Sequence, residues 1–452
     1  MEENGKRING SPTKDLFIFV LTRDLSLEDA INDLIDNSID GAKRLRTDGN
    51  YEGLFIKILV EANSFRCDDN CGGIPIDIAR QYAFRFGRPE GMQKTSFSIG
   101  QFGVGMKRAF FKLGKDFYVH SVALESEFTV SVSLDEWIDQ KTDTGEDDWS
   151  FEFKDDYKEN VKNDLEKTGT QIEVTPLHDD ISKYIEETSF VENLRLNIEL
   201  KHMENIFKGI DIFLNGEKLR SRRPEFRVSD LMKIAKFEKT FENGVKLELL
   251  CGIGDPTEED GGWYIFCNDR LLLGPEQTAL SGWTGGGGDG VAMYHHQFRH
   301  FRGIVYFRSE DSFKLPWNTA KNDIDASSSV FLYARAKMIE LMKPVIKLLN
   351  LVKKDKEMGE DGQPKEYQPY VNMVNSTNTV SLSEITSDVT QNAFTIPIVE
   401  KRDTGEKHVT ISYKKEKGLV DYLKSISGAD SNKDLGELTF NYYIDQEDIE
   451  YE

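Results

Sequence analysis

The segment that most constrains the fold is SIGQFGVGMKRAF, residues 98–110, in which three glycines precede a helical pattern. Gly100, Gly103 and Gly105 are spaced as G-x-x-G-x-G. Glycine lets the backbone approach an anion closely, and the first N–H groups of the following helix point at that anion. The segment therefore predicts a phosphate-binding loop, with a plain flexible loop before a helix as the alternative.

Two common phosphate motifs do not fit this spacing. A P-loop requires Lys and then Ser or Thr after its last glycine, whereas Met106 follows Gly105 here. The dinucleotide fingerprint requires a third glycine at the position that Arg108 occupies. The spacing therefore matches neither motif, and a plain flexible loop before a helix stays the alternative.

Composition excludes several functions. The 452 residues carry 57 basic and 79 acidic side chains, a formal charge of −22, which disfavours broad binding to nucleic-acid phosphates. The sequence contains no run of about 18 apolar residues, so no membrane span is expected. The polar first residues do not form a signal peptide, and the four cysteines are too few for a disulfide scaffold. We therefore expect a cytoplasmic protein.

The helix and strand patterns change character along the chain. Strands and helices alternate up to about residue 180, an α+β pattern with a long amphipathic helix follows, and a polar stretch then leads to a short region with strand-like segments at 408–414 and 437–445. The predicted divisions are a first domain at 1–180, a second α+β domain at 181–350, a linker at 351–392 and a small C-terminal α/β region with an acidic tail at 393–452.

The first predicted amphipathic helix, residues 26–46, carries Asp33, Asn37 and Asp40 at i, i+4 and i+7 on one face. Mg²⁺ takes few oxygen ligands from a protein and the rest from phosphates and water, so the Asn37 amide oxygen suits it. A carboxylate one turn away could deprotonate a water. The alternative is an ordinary solvated face.

A second polar feature is DDNCGGI, residues 68–74, in which an acid at a strand end precedes two glycines. A carboxylate accepts a hydrogen bond from an exocyclic amine, and paired glycines let a flat base approach the backbone. The alternative is an ordinary Asp-Asn-Gly turn. Later in the chain, Thr170 offers a hydroxyl beside Gly169 at the start of a strand.

The order of these features resembles the GHKL ATPase superfamily of gyrase B, heat-shock chaperones, MutL and histidine kinases, with the related MORC proteins. IGQFGVG is similar to the heat-shock chaperone form of the third motif, and DLIDNSIDGA to the MutL and MORC first motif. The resemblance covers roughly residues 20–180. It implies an α+β fold: a Bergerat-type α/β sandwich that binds nucleotide, followed by a transducer-like α+β domain and a small C-terminal region.

Carried over by motif, the resemblance implies a role for each of these positions. Asn37 would bind Mg²⁺, Asp69 would accept from the adenine amine with Gly73 and Thr170 nearby, and residues 81–96 would form part of a mobile lid. The phosphates would be bound by Gly100, Gln101, Phe102, Gly103, Val104, Gly105 and Lys107.

The sequence departs from the family at two positions. Asp33 stands where the general base is usually Glu, which predicts slow hydrolysis because the side chain is one methylene shorter. Glu28 and Asn32 also have the E-x-x-x-N spacing, but that register misplaces the following Asp-Gly-Ala. Cys71 replaces the first glycine of the D-x-G-x-G motif, and this replacement puts only the local backbone geometry in doubt.

Beyond residue 181 the resemblance is looser. In MORC-like and MutL-like members the second domain supplies a lysine to the γ-phosphate, and Lys321 in LPWNTAKND is the candidate here, with a solvated loop lysine as the alternative. The implied function is Mg²⁺-dependent ATP binding and hydrolysis with lid closure, homodimerisation on ATP binding, and a role in DNA handling or defence. The alternatives are a chaperone-like clamp on a protein client and a nucleotide switch with negligible turnover.

Overall fold

The computed structural model describes residues 12–87, 95–100, 103–257, 259–286, 290–318, 321–360, 368–398 and 411–447. The chain divides into two compact units, Met1–Ile398 and Val399–Glu452. None of the helices in these ranges is both long enough and apolar enough to cross a bilayer.

The helices and strands follow one another in the mixed order expected of an α+β protein. The α-helices of the described residues are α1 (Lys14–Arg23), α2 (Leu27–Leu45), α3 (Ile76–Ile78), α4 (Gly105–Leu113), α5 (Leu134–Asp139), α6 (Asp179–Ile185), α7 (Phe190–Lys201), α8 (Met203–Phe207), α9 (Ser329–Glu360), α10 (Pro369–Asn375), α11 (Lys417–Ser427) and α12 (Asn432–Gln446). The strands are β1 (Phe55–Glu61), β2 (Ser64–Asp69), β3 (Asp116–Val122), β4 (Ser126–Ser133), β5 (Lys158–Glu159), β6 (Gly169–Val174), β7 (Asp211–Leu214), β8 (Glu217–Lys218), β9 (Phe226–Val228), β10 (Ile234–Thr240), β11 (Lys246–Ile253), β12 (Gly262–Cys267), β13 (Arg270–Glu276), β14 (Phe301–Arg308), β15 (Asn378–Val380) and β16 (Thr390–Gln391).

The first sheet has the strand order β5-β4-β3-β6-β2-β1-β7-β8, and only the β1–β7 pair is parallel. Alternate residues of β1 are buried, because period-2 alternation gives a strand one apolar face. The apolar stripes of α2 and α4 share one core with that face, in which Leu34 and Ile35 are fully buried with Ile56 and Phe65. This layer of helices on a sheet is the predicted α/β sandwich, so the predicted fold class is confirmed.

The hairpin β7–β8, with Asn215 and Gly216 at its turn, belongs to this first sheet. The predicted division places these residues in the second domain, 181–350. That assignment is wrong, because β7 pairs in parallel with β1, more than 150 positions earlier in the chain. Partners so distant in the chain leave no local signal of their pairing.

The second sheet has the order β13-β12-β14-β11-β10-β16, with β9 joined to β11 and β15. The long helix α9 packs on β11, and its apolar residues enter the same core as the first sheet. The predicted linker at 351–392 is therefore only partly a linker, because the end of α9, α10, β15 and β16 lie within it. Its polar side chains resemble a linker in composition, yet its backbone supplies two short edge strands.

The C-terminal unit contains α11 and α12 in its described residues, 411–447. The predicted strand at 437–445 is wrong, since those residues lie in α12. Consecutive aromatic residues imitate a strand there, but Ser431 and Asp434 form a capping box that starts a helix. The predicted strand at 408–414 extends into residues outside the described ranges, as does the acidic tail from 448 onward.

Candidate functional site

Helix α2 provides one wall of the site. It begins as predicted, with the Ser26 side chain accepting a hydrogen bond from the Asp29 amide at 3.0 Å. Its apolar face packs in the core, but its acidic face is buried as well, because Asp33, Asp36 and Asp40 are each less than 7% exposed. Buried carboxylates require hydrogen-bond or ionic partners. The alternative of a solvated polar face is therefore wrong.

The glycine loop lies directly against this face of α2. Both oxygens of Asp40 accept backbone hydrogen bonds from the loop, from Ile99 N at 2.8 Å and Gly100 N at 2.7 Å. A Cβ atom on Gly100 would lie 3.4 Å from Asn37 Oδ1, and one on Gly105 would lie 3.2 Å from Asp33 Cγ. Two of the three glycines therefore allow the loop to approach the predicted magnesium ligand and the predicted base.

Of the remaining loop positions, two lie within the described residues and two lie outside them. Gly103 has a φ of 69°, a left-handed conformation that favours glycine, and Val104 is the N-cap residue of α4. Gln101 and Phe102 lie outside the described residues, so their predicted contacts with phosphate remain predictions.

Lys107 on α4 connects the loop to the first residues of the predicted lid. Its Nζ donates to the carbonyl of Ala83 at 2.8 Å and also to the carbonyl of Gly103. The side chain is buried and pairs with no carboxylate of the described residues, and burial lowers its pKa to about 7. Lys107 therefore joins the backbone of the phosphate loop to that of Ala83.

Asp69 ends β2 beside α2. Ser38 Oγ donates to its Oδ2 at 2.6 Å, and the Cys71 amide donates to its Oδ1 at 2.8 Å. Burial raises the pKa of Asp69, although both hydrogen bonds lower it. Thr170 is its register partner on β6, so the two residues predicted to bind adenine are adjacent.

The turn after Asp69 explains why Cys71 is tolerated in place of the family's first glycine. The two residues with a left-handed backbone are Gly72 and Gly73, with φ of 94° and 68°, and Cys71 is not among them. A Cβ on Gly73 would also lie only 2.1 Å from the Val122 carbonyl oxygen. The doubt that Cys71 raised about the backbone is thereby removed.

A cluster of buried charges joins α2 to the second sheet. Asp33 forms ion pairs with Arg108 at 2.5 Å and with Lys321 at 2.8 Å. Asp36 pairs with the same Lys321 at 2.8 Å and with Arg270 at 2.9 Å. Lys321 is 4% exposed, so the alternative of a solvated loop lysine is wrong.

Electrostatics favour the charged forms of Asp36 and Lys321. Burial raises the pKa of Asp36 and lowers that of Lys321, but in each case the opposite charges outweigh burial, so the pKa of Asp36 is lowered and that of Lys321 is raised. Three cationic side chains face two carboxylates, which leaves an excess positive charge. Arg108 Nε, Arg270 Nη2 and Asn37 Nδ2 are buried and have no hydrogen-bond partner among the described residues. Unsatisfied donors beside excess positive charge favour an anion.

The alternative motif register is disfavoured by the geometry of α2. Asn32 Nδ2 donates to Asn197 Oδ1 at 2.8 Å, and Asn32 Oδ1 is 2.9 Å from His202 Nε2. Burial lowers the pKa of His202 to about 3, so its ring is neutral. Glu28 accepts from the Tyr184 hydroxyl at 2.9 Å. Asn32 thus contacts α7 and the residue that follows it, whereas Asn37 lies at the phosphate loop.

Sequence reasoning missed four residues of this site, and it named Asp40 on the polar face of the first helix without assigning it a contact. Ser38 directly follows Asn37 in the quoted first motif, so the sequence could have indicated it. Asp36, Arg108 and Arg270 acquire their roles only through contacts between distant segments.

Comparison with known proteins supports the class that this geometry defines. Residues 25–168 match the family model described as "Histidine kinase-, DNA gyrase B-, and HSP90-like ATPase". The match is less than half of the chain and includes Asp33, Asn37, Asp69 and the phosphate loop, but not Thr170 or Lys321. It supports a GHKL-type ATPase domain and, in general, ATP binding and hydrolysis by that domain. A comparison with curated proteins found no match to the chain.

The buried Lys107 predicts a specific dependence of stability on pH. Its pKa of about 7 lies below the ordinary lysine value of 10.5. Between these two pH values the unfolded chain binds more protons than the folded one, so the free energy of unfolding rises with pH. Lys107→Met should remove up to about 1.4 kcal/mol of this rise per pH unit. Urea unfolding at pH 7, 8 and 9 measures the slope. Lys115→Met, at an exposed position, should keep the wild-type slope, and a parallel curve for Lys107→Met would contradict the prediction.

Proposed function

We propose that the protein is a Mg²⁺-dependent ATP-binding and ATP-hydrolysing protein whose nucleotide lies between α2, the Asp69 turn and the phosphate loop. The observation that carries this proposal is the approach of Asn37 and Asp33 to Gly100 and Gly105. The family match supports ATP binding and hydrolysis in general. The assignment of individual residues is our proposal.

Adenine would be recognised by Asp69. Its carboxylate is fixed by Ser38 and the Cys71 amide, and a carboxylate has further lone pairs for the exocyclic amine. The left-handed Gly72 and Gly73 and the adjacent Thr170 would border the base. Burial beneath the base would make this hydrogen bond stronger than one in water.

Magnesium would be held by Asn37 together with phosphate oxygens and water. The described residues contain no group of three or more His, Cys, Asp or Glu side chains suited to a metal. A site with one protein oxygen ligand suits Mg²⁺, which usually keeps waters and phosphate ligands. Asn37 Oδ1 lies 3.4 Å from the place where a Cβ on Gly100 would stand, so the amide oxygen faces the phosphate loop and these residues fit the ion. When bound, Mg²⁺ would neutralise charge on the phosphates.

Hydrolysis would begin with an exchange of ion pairs. Asp33 is held by Arg108 and Lys321, so both of its oxygens have cationic partners and neither is free to take a proton from water. The γ-phosphate would compete for Lys321, leaving Asp36 with Arg270 and releasing one oxygen of Asp33. Asp33 would then accept the proton of the attacking water while Arg108 keeps it oriented.

The same ion pairs favour one of the alternatives as a second candidate function. If Lys321 stays on Asp33 after ATP binds, the base remains blocked and the protein is a nucleotide switch with negligible turnover. In either case ATP would close residues 81–96 over the site and draw the second sheet toward it, with dimerisation in the ATP state. Residues 88–94 of this proposed lid lie outside the described residues.

The client would be DNA, in a DNA-handling or defence role, or a protein held by a chaperone-like clamp. The formal charge of −22 means that DNA binding would require a local basic surface. A salt-dependent mobility shift with DNA would favour the first role, and binding to unfolded protein would favour the second.

Asp69→Asn should weaken ATP binding at least tenfold, about 1.4 kcal/mol, because the amide keeps an acceptor but loses its charge. Isothermal titration calorimetry measures the affinity. Asp68→Asn is the matched control, since Asp68 is the neighbouring strand residue and pairs with Arg66 at the surface. Unchanged ATP affinity in a folded Asp69→Asn variant would remove Asp69 from the site.

Asp33→Asn should lower the rate of phosphate release roughly 10²–10⁴-fold while ATP affinity is kept or increased, because Lys321 loses a competitor for the γ-phosphate. Steady-state phosphate release with ATP and Mg²⁺, combined with nucleotide titration, measures both. Glu28→Gln should hydrolyse at the wild-type rate. Normal turnover in Asp33→Asn with loss in Glu28→Gln would transfer the role of base to Glu28.

Lys321→Met should bind ADP normally, bind a non-hydrolysable ATP analogue more weakly, hydrolyse slowly and lose any compaction specific to ATP. The physical reason is that the charge on the γ-phosphate is absent in ADP. The variant will also be less stable, since Asp33 and Asp36 each lose a buried partner, so normal ADP binding reports an intact site. Small-angle scattering with the two nucleotides measures compaction. Wild-type compaction and turnover would exclude Lys321, and Lys107 would become the preferred phosphate partner.

A further inference from the structure

The turn that joins β12 to β13 is buried, although the tip of a β-hairpin is normally at the surface. Asn268 and Asp269 form a two-residue turn in which both φ angles are positive, 48° and 68°, as a type I′ hairpin requires. Asn268 is 1% exposed, and Arg270, the first residue of β13, is fully buried. A buried turn must use its polar groups within the protein.

Asn268 uses them on the segment that leads into the phosphate loop. Its Nδ2 donates to the carbonyls of Ser98 and Ser309, both at 3.1 Å, and its Oδ1 accepts from the Ser309 amide at 3.0 Å. Its own carbonyl accepts from Lys43 Nζ at 3.1 Å, and the same Nζ donates to the Phe97 carbonyl at 2.8 Å. The turn thus holds residues 97–98 in place, directly before the amides that bind Asp40.

A second contact reinforces this attachment from the short 3-10 helix Ser312–Lys314, which follows β14. Ser312 Oγ lies 3.1 Å from Ser98 Oγ and also donates to the Ser98 carbonyl. Ser98 is 3% exposed. The bonds of Asn268 and Ser312 to Ser98 link the segment before the phosphate loop to the second sheet and the residues that follow it, and none of them involves Lys321.

The other end of the turn holds the opposite side of the site. Arg270 Nε donates to Asp36 Oδ1 at 2.9 Å, and its Nη1 donates to the Lys321 carbonyl. Asp269 fixes the turn itself through Lys208 at 2.6 Å and Arg308 at 3.1 Å. One short turn therefore contacts the phosphate loop, the residue next to Asn37 and the backbone of the proposed γ-phosphate lysine.

We propose that the turn from Cys267 to Arg270 couples the phosphate loop to the second sheet, with Asn268 as a positioning residue that acts through Ser98. This inference rests on the function proposed above. When nucleotide shifts the loop, Asn268 carries the movement into β12 and β13. Arg270, at the other end of the turn, then moves together with its partners Asp36 and Lys321. The coupling is a second connection between the domains, separate from the charge of Lys321.

Asn268→Gly tests this proposal because glycine keeps the left-handed turn while removing the side chain. Asn215→Gly is a matched control. Asn215 has the same φ of 48° in the β7–β8 turn, and its side chain likewise bonds the backbone, to Val60 N at 2.8 Å and Val60 O at 3.3 Å. Neither of those bonds reaches the phosphate loop. Both variants therefore lose side-chain bonds to backbone groups, Asn268 in a buried turn and Asn215 in an exposed one.

The measurements are hydrogen exchange with and without a non-hydrolysable ATP analogue, the Kd for ADP, and the turnover number for ATP. In the wild type, the analogue should protect amides in residues 98–110 and in β12–β14. Asn268→Gly should keep the first protection and the ADP Kd, lose most of the second, and hydrolyse roughly ten- to a hundredfold more slowly. Asn215→Gly should resemble the wild type in all three measurements.

Three outcomes would overturn the coupling proposal. Wild-type protection of β12–β14 and wild-type turnover in Asn268→Gly would show that the turn transmits nothing. Equal losses in Asn268→Gly and Asn215→Gly would show a general loss of stability. Absence of any protection of residues 98–110 in the wild type would overturn the proposed ATP function as well, which distinguishes that failure from the first two.

Discussion

The structure depends on the buried ion pairs of Asp33 and Asp36 with Arg108, Arg270 and Lys321. Removing such charges from water costs several kcal/mol per ion, and the cost is recovered only when every charge has a well-placed partner. The two carboxylates come from α2 of the first sheet's layer, whereas Arg270 and Lys321 come from the second sheet and the loop before α9. The cluster therefore fixes how these two parts of the same compact unit meet.

An interaction of this kind is well suited to a switch because its partners are interchangeable. Lys321 is shared between two carboxylates, so an incoming anion can replace one contact without leaving either carboxylate alone. Asp33 keeps Arg108, and Asp36 keeps Arg270. By contrast, Asp40 accepts hydrogen bonds from two backbone amides of the loop, one at each of its oxygens. The site thus combines a fixed attachment of the phosphate loop with an exchangeable attachment of the lysine.

Much of the first domain was predictable because its signals are local. The first amphipathic helix and the glycine loop before α4 depend on neighbours within a few residues, and each was found as predicted. The aromatic run in α12 was misread because side-chain type alone favours a strand, whereas the capping box favours a helix. The position of β7–β8 was misread because sheet partners need not be neighbours in sequence.

The sequence by itself determined which residue types stand at the candidate site, namely Asp33 and Asn37 on one helix, Asp69 before two glycines, and the G-x-x-G-x-G loop. The spacing of 3.6 residues per helical turn and the need for glycine near an anion are local rules, so a short stretch of sequence is enough to apply them. Only the tertiary structure decided that Asp36 meets Arg270, that Lys321 is buried against Asp33, and that Asn268 holds Ser98. These contacts join positions 170 to 288 residues apart, and their energies depend on burial, which no local pattern specifies.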